Sequence, residues 1–142
     1  MRGLHDAVLL CCMFGWLPPM RVSMMISLMK PNLKHECLIE VCKCDGNHLH
    51  WLTPNDVLGA RFCHHKTARK SGGQAIQYRL PPDLNFMLKI ILEPANRVLL
   101  EMRGVQCRTV FVGTAGKEIS SSMWSPYFSR LLNKLGESSH VM

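Results

Sequence analysis

Several things that would narrow this chain's chemistry are scarce or missing. Its 142 residues include only 10 Asp and Glu, scattered along the chain. That is too few for a Mg²⁺ nuclease, which gathers several carboxylates around its ions, and it offers no pair for acid-assisted sugar hydrolysis. There is no Cys-x-x-Cys pair and no zinc-finger spacing. Gly-x-Ser-x-Gly, Gly-x-Gly-x-x-Gly and a phosphate-binding Gly-Lys-Ser loop are all absent, which removes the usual signs of a serine hydrolase or a nucleotide enzyme. No repeat, low-complexity tract or interdomain linker breaks the chain. The apolar run Ala7–Leu17 falls short of the roughly 20 residues needed to span a bilayer, and Pro18, Pro19 and Arg21 block its extension. Following Arg2, the run has the character of a signal-peptide core, although small residues for cleavage are poorly placed. A buried helix explains it equally well.

What is abundant is positive charge. Lys and Arg number 17, for a formal net charge of +7, and this favours an acidic partner, nucleic acid before anionic membrane. A hydrophobic content of 47% is enough for the core of a single domain over residues 1–142. Seven cysteines, an odd number without framework spacing, suggest a reducing compartment.

The charge is concentrated in the middle of the chain. Phe62, His64 and Lys66 alternate with Arg61, Cys63 and His65, and beyond Ser71-Gly72-Gly73 the residues Ile76, Tyr78 and Leu80 alternate with Gln77 and Arg79. Period-two alternation on both sides of a glycine turn predicts a β-hairpin. Its cations, Arg61, Lys66, Arg69, Lys70 and Arg79, suit an extended ribbon lying along a polyanion, or a decorated surface hairpin.

Around this hairpin the pattern predicts helices. Residues 4–17 read as a mostly buried helix, ended by Leu17-Pro18-Pro19, and Met20 to Met29 as a second helix stopped by Pro31. Arg21 falls in its first turn, either beside unsatisfied backbone N–H groups that favour an anion or as an ordinary exposed arginine. Glu36–Lys43 and His48–Leu52, joined through Asp45-Gly46, read as another hairpin. A third helix begins near Asp83 and ends or bends at Pro94. Thr109–Gly113 is a short strand or extended link. A last helix, capped by Ser120-Ser121-Ser122, packs through Trp124, Phe128, Leu131, Leu132 and Leu135 and stops at Gly136. The expected class is α+β: mainly helical, with a small antiparallel sheet inserted between helices.

Two chemistries fit these residues. Cys42 and Cys44, His48 and His50, and Cys63, His64 and His65 put soft ligands near strand ends, where they could converge on zinc. Free cysteine is also a common buried residue. Alternatively, Arg21 and Lys66 are the right residue types, on two separate elements, to stabilise the extra charge of a phosphodiester in its transition state. Lys66 could also protonate a leaving oxygen.

The order and local character of Phe14–Arg21, His64–Lys70, Tyr78–Pro82, Val110–Val112 and Ser120–Trp124 resemble a tyrosine recombinase (phage-integrase-like) catalytic domain of the type carried by eukaryotic mobile elements, over about residues 4–136. The resemblance implies a partial recombinase core that binds DNA in the nucleus, oligomerises on DNA when full-length, does not engage a membrane, and uses no metal or other cofactor. In that family DNA is broken and rejoined, for recombination or integration, through a 3′-phosphotyrosyl link. It implies that Arg21 is the first catalytic arginine and Lys66 the hairpin lysine at the scissile phosphate, with Arg61, Arg69, Lys70 and Arg79 along the DNA. Pro19, Ser23 and Met24 depart from the glycine and acidic residue usual there. His140 takes the place of the first residue of the His-x-x-Arg box. The box's arginine and the nucleophilic tyrosine are expected beyond Met142, so the expectation is a C-terminally truncated core, inactive alone. Tyr127 and Tyr78 read as structural. The alternative is a small basic nucleic-acid-binding module, zinc-stabilised and without catalysis.

Overall fold

The computed structural model describes residues 1–16, 21–31, 47–53, 57–62 and 76–140. They form a mixed α+β fold, dominated by helix around one small antiparallel sheet. The helices are α1 (Arg2–Cys11), α2 (Val22–Ile26), α3 (Pro82–Leu92), α4 (Pro94–Leu100) and α5 (Ser121–His140); the strands are β1 (His48–Thr53), β2 (Val57–Phe62) and β3 (Ile76–Arg79).

β2 is the central strand. It pairs antiparallel with β1, His48 opposite Arg61 and His50 opposite Gly59, and with β3, Gly59 opposite Arg79 and Phe62 opposite Ile76. Because successive side chains alternate, this register gives the sheet two unlike faces. Leu49, Trp51, Leu58, Ala60, Phe62 and Tyr78 belong to the core, whereas His48, His50, Arg61 and Arg79 lie on the other side. The expected β2–β3 hairpin is present as a strand pair; its tip, residues 63–75, lies outside the described residues, as does the 36–43 stretch expected to pair with 48–52. β1 pairs with β2.

The second helix is shorter than its periodicity suggests. α2 ends at Ile26, and residues 28–30 run extended between two neighbours. The Met29 N–H donates to the Asn47 carbonyl at 3.0 Å and its carbonyl accepts from Leu49 N–H at 3.0 Å. On the other side Lys30 N–H donates to Arg108 O at 2.8 Å and Val110 N–H to Leu28 O at 2.8 Å. Pro31 already disfavours a helical Lys30, and two-sided backbone pairing with a fully buried Leu28 completes the change.

Pro94 does more than end a helix. Glu93 is extended (φ −60°, ψ 130°), as a residue before proline tends to be, and Pro94 then opens α4. α3 itself opens on Pro82 and carries Asp83 in its first turn and Lys89 in its last, both favourable to the helix dipole. Asn85 Oδ1 accepts from Leu58 N–H at 2.7 Å, tying α3 to the central strand. α5 runs through Gly136, which therefore does not stop it. Its buried side centres on Tyr127 and Leu131, while Leu132, expected inside, is 43% exposed.

The core joins Leu9 of α1, Leu28, Leu49 and Leu58 of the paired segments, Leu84, Leu88 and Ile91 of α3, and Val110 and Phe111. Each such side chain contributes about 1.5–3 kcal/mol when withdrawn from water. Among the described residues no helix is long and apolar enough to cross a membrane.

Candidate functional site

The residues that sequence reasoning singles out fall into three groups. Arg21 is exposed at the turn into α2, where its carbonyl accepts from the Met24 and Met25 amides at 2.9 and 3.2 Å. Arg79 is exposed near the end of β3. Lys66, Arg69 and Lys70 lie outside the described residues, and His140 is described only as the last residue of α5.

Arg61 requires a correction. It was expected on the outer surface of the hairpin, yet it is only 5% exposed. It sits on the central strand, with His48 opposite on β1 and Gln77 opposite on β3. Arg61 and Arg79 nonetheless share one face of the sheet, with His48 and His50 beside them.

The two imidazoles meet edge to face, ring centroids 5.8 Å apart. His50 lies close over the backbone of Gly59: a Cβ built there would come within 3.1 Å of His50 Nε2. With Leu52 Cδ2 at 3.2 Å as well, a side chain at position 59 would press on both neighbours. Burial first, then the neighbouring His48 and Arg61, hold His50 below its ordinary 6.5. Of the zinc candidates, His48 and His50 are described; Cys42, Cys44, Cys63, His64 and His65 lie outside the described residues. Among the described residues no three His, Cys, Asp or Glu side chains are grouped to hold a metal ion.

Two buried polar networks were not anticipated. In the first, His5 Nε2 accepts the Val112 N–H at 2.8 Å, which fixes the ring proton on Nδ1; that proton is donated to Asp6 Oδ1 at 2.9 Å. The Tyr127 hydroxyl donates to the same Asp6 oxygen at 2.5 Å. Arg2 closes the cluster by donating to the carbonyls of Val112 and of Gly113, the latter at 2.8 Å. Burial above all, only partly offset by the Asp6 hydrogen bond, keeps His5 below its ordinary value and neutral. For Asp6 burial acts upward, but the bonds from His5 and Tyr127 outweigh it and hold the carboxyl low. Tyr127 is only 4% exposed, and burial with its bond to Asp6 pushes the phenol well above its usual range. Helical spacing held a signal for this cluster, since His5 lies on the same face as Val8, Leu9 and Cys12.

In the second network Arg97 Nε donates to Glu101 Oε1 at 2.9 Å, and its terminal nitrogens donate to the carbonyls of Val110 at 2.7 Å and Thr109 at 2.9 Å. Glu101 Oε2 takes the Cys107 N–H at 2.8 Å. The planar guanidinium fork thereby holds the 107–110 segment against α4. Sequence offered only the i,i+4 spacing of Arg97 and Glu101.

Chemically, the two networks bind distant parts of the chain to each other through their hydrogen bonds. The face bearing His48, His50, Arg61 and Arg79 is of another kind, since the three strands that form it contain basic residues but no Asp or Glu. Comparison with known proteins gives no relative to set beside these features, since no family model, no curated protein and no solved structure matches the chain.

Proposed function

We propose that this chain is the DNA-binding part of a tyrosine-recombinase-type catalytic core, and that the polypeptide by itself does not cut DNA. Arg21, Lys66 and His140 are the residues this reading places at the phosphate, with Arg69, Lys70 and Arg79 following the backbone on either side. Arg61, being enclosed, serves the sheet rather than the outer contact.

The observation that carries the binding half is the surplus of exposed cations. Among the described residues Arg21, Arg79, Arg103, Arg108, Lys117, Arg130 and Lys134 are exposed, against Asp83, Glu93 and Glu118. A surface so unbalanced attracts a polyanion and releases its counterions. The two tyrosines the chain contains support the absence of cutting. Tyr127 is buried with its hydroxyl committed to Asp6, and Tyr78 packs on the apolar side of the sheet. Neither can present a phenolate to a phosphodiester without unpacking the core.

Fluorescence anisotropy on a labelled duplex over a range of KCl concentrations tests the binding. Replacing Lys66, Arg69 and Lys70 together by alanine is expected to weaken binding and flatten the salt dependence by up to about three counterion units. An unchanged salt slope would remove the hairpin from the interface. A nicked suicide duplex is expected to give no covalent protein–DNA adduct, and an adduct on either tyrosine would overturn the second half of the proposal.

A further inference from the structure

After α4 the chain folds back on itself and sets cations side by side. Met102 N–H donates to Gly116 O at 2.9 Å, so Arg103 and Lys117 each follow a residue of one backbone contact. Gly113 N–H donates to Lys117 O at 2.8 Å, and Arg108 N–H to Glu118 Oε1 at 3.1 Å, which brings Arg108 to the same strip. On its other side Lys30 N–H donates to Arg108 O at 2.8 Å, and Met29 pairs antiparallel with Thr109. Lys30 therefore lies directly across from Arg108. Residues opposed in this way have Cβ atoms about 4.5–5.5 Å apart, and like charges there repel. Arg103, Arg108 and Lys117 are exposed and Lys30 is half-buried. None of the four forms an ion pair among the described residues. Of the carboxylates here, Glu101 is committed to Arg97 and the Cys107 N–H, and Glu118 accepts the Arg108 N–H.

We propose that Lys30, Arg108, Lys117 and Arg103 form a second nucleic-acid surface, which holds the phosphate backbone of a duplex without reading its bases. A strip of like charges gathers counterions, and a polyanion that replaces them gains their release. Two of the four residues are arginines, whose planar fork matches the oxygens of a phosphate. The hydrogen bonds that tie 102 to 116, 113 to 117 and 108 to 118 fix the backbone that carries the cations, which lowers the ordering cost of binding. The strip suits paired rather than unpaired nucleic acid. Phe111 is the one aromatic residue between positions 101 and 120, and it is fully buried, so no ring is offered on which a free base could stack. The kind of ligand rests on the DNA-binding reading above, whereas the residues do not, since none of them belongs to the hairpin.

The test uses the whole chain and fluorescence anisotropy over a range of KCl concentrations. The probes are two labelled duplexes of unrelated sequence and a single strand of equal length, with poly-glutamate as competitor. Replacing Arg103, Arg108 and Lys117 together by glutamine is expected to weaken binding of both duplexes about tenfold and to flatten the salt dependence by up to about three counterion units. Arg108→Gln alone removes the like charge opposite Lys30, so its duplex affinity should fall while its melting temperature stays at or above wild type. A fall in affinity that comes only with a lower melting temperature would assign Arg108 to the fold and overturn its place in the surface. A salt slope unchanged in the triple variant would overturn the proposal, and the hairpin reading survives if replacing Lys66, Arg69 and Lys70 flattens that slope. The reverse result, loss in the triple variant and none in the hairpin variant, supports this surface and removes the hairpin. Tighter binding of the single strand than of the duplex, or displacement of the duplex by poly-glutamate at equal charge, would overturn the duplex as partner. No duplex binding by the wild-type chain at low salt would overturn both readings together.

Discussion

The Tyr127 hydroxyl donates to Asp6 Oδ1 at 2.5 Å, joining α5 to α1 across 121 positions of sequence. The same oxygen receives His5 Nδ1–H, so one carboxylate gathers two donors from opposite ends of the chain. Phenylalanine at position 127 keeps the ring but removes one donor from a buried carboxylate. Tyr127→Phe is expected to cost about 1.5–3 kcal/mol, the range for a hydrogen bond to a charged group. Urea unfolding measures the loss, and DNA affinity at fixed salt should be unchanged. A larger effect on DNA than on stability would mean that Tyr127 serves the ligand rather than the core.

His5 makes the fold sensitive to mild acid. Its folded value lies below the ordinary 6.5, so above that pH both folded and unfolded chains hold a neutral ring and the full stability is present. As pH falls through 6.5 the unfolded chain takes up a proton that the folded chain refuses, and stability drops by up to about 1.4 kcal/mol per pH unit. His50 is lowered as well and adds to the slope in the same window. Asp6 acts later: its carboxyl is held below 3.8, so its contribution is present above 3.8 and is lost as pH falls through the lower folded value. Urea midpoints between pH 8 and pH 5 should therefore fall, and His5→Gln should flatten part of that slope. An unchanged slope in the variant would mean that burial does not hold the His5 ring neutral.

Arg97 anchors the second network. Removing it leaves the Glu101 carboxylate and the carbonyls of Thr109 and Val110 without their donor. Arg97→Ala is expected to cost about 3–5 kcal/mol, as breaking one side of a buried ion pair does. Arg97→Lys should recover little, because an ammonium cannot reproduce a planar fork serving a carboxylate and two carbonyls at once. Chemical denaturation of the two variants gives the comparison, and substantial rescue by lysine would mean that charge matters more than geometry.

The sequence is most legible where local rules decide the outcome. The Asp45-Gly46 turn signal placed a strand at His48–Leu52, alternation along Ile76–Leu80 marked another, and Asp83 marked the start of α3. It misleads where partners distant in the chain decide. The last turn expected of α2 becomes extended because Asn47, Leu49, Arg108 and Val110 offer backbone pairing on both sides of residues 28–30. α4 was missed because Pro94 reads equally as a stop and as a first residue. Arg61 read as a surface cation because alternation gives the face of a strand and not its depth, and Arg61 is only 5% exposed. His5 and Asp6 were passed over because polar residues on an apolar helix face gain their partners, Val112 and Tyr127, only once the chain has folded. Helical spacing extended α5 as far as Gly136, but a glycine with no neighbour within 4 Å of its missing Cβ is simply carried through the helix.

Two glycines separate backbone strain from steric exclusion. Gly104 and Gly116 both have positive φ, 82° and 79°, a region that costs an L-residue about 1–2 kcal/mol. At Gly104 an added Cβ meets nothing within 4 Å, so Gly104→Ala should lose only that strain. At Gly116 the same Cβ would stand 2.2 Å from Met102 N and 2.8 Å from its Cα, both backbone atoms with no freedom to swing aside. Accommodating it means opening the turn and breaking the bond from Met102 N–H to Gly116 O, now 2.9 Å. Gly116→Ala should therefore lose a further 1–3 kcal/mol, roughly, beyond the Gly104→Ala loss. That turn also receives the Cys107 thiol on the Gly116 carbonyl at 3.7 Å, next to the backbone held by Glu101. The extra loss should accordingly appear together with faster labelling of Cys107, which Gly104→Ala should leave protected. Equal unfolding free energies for the two variants would show that the 102–116 contact yields without cost.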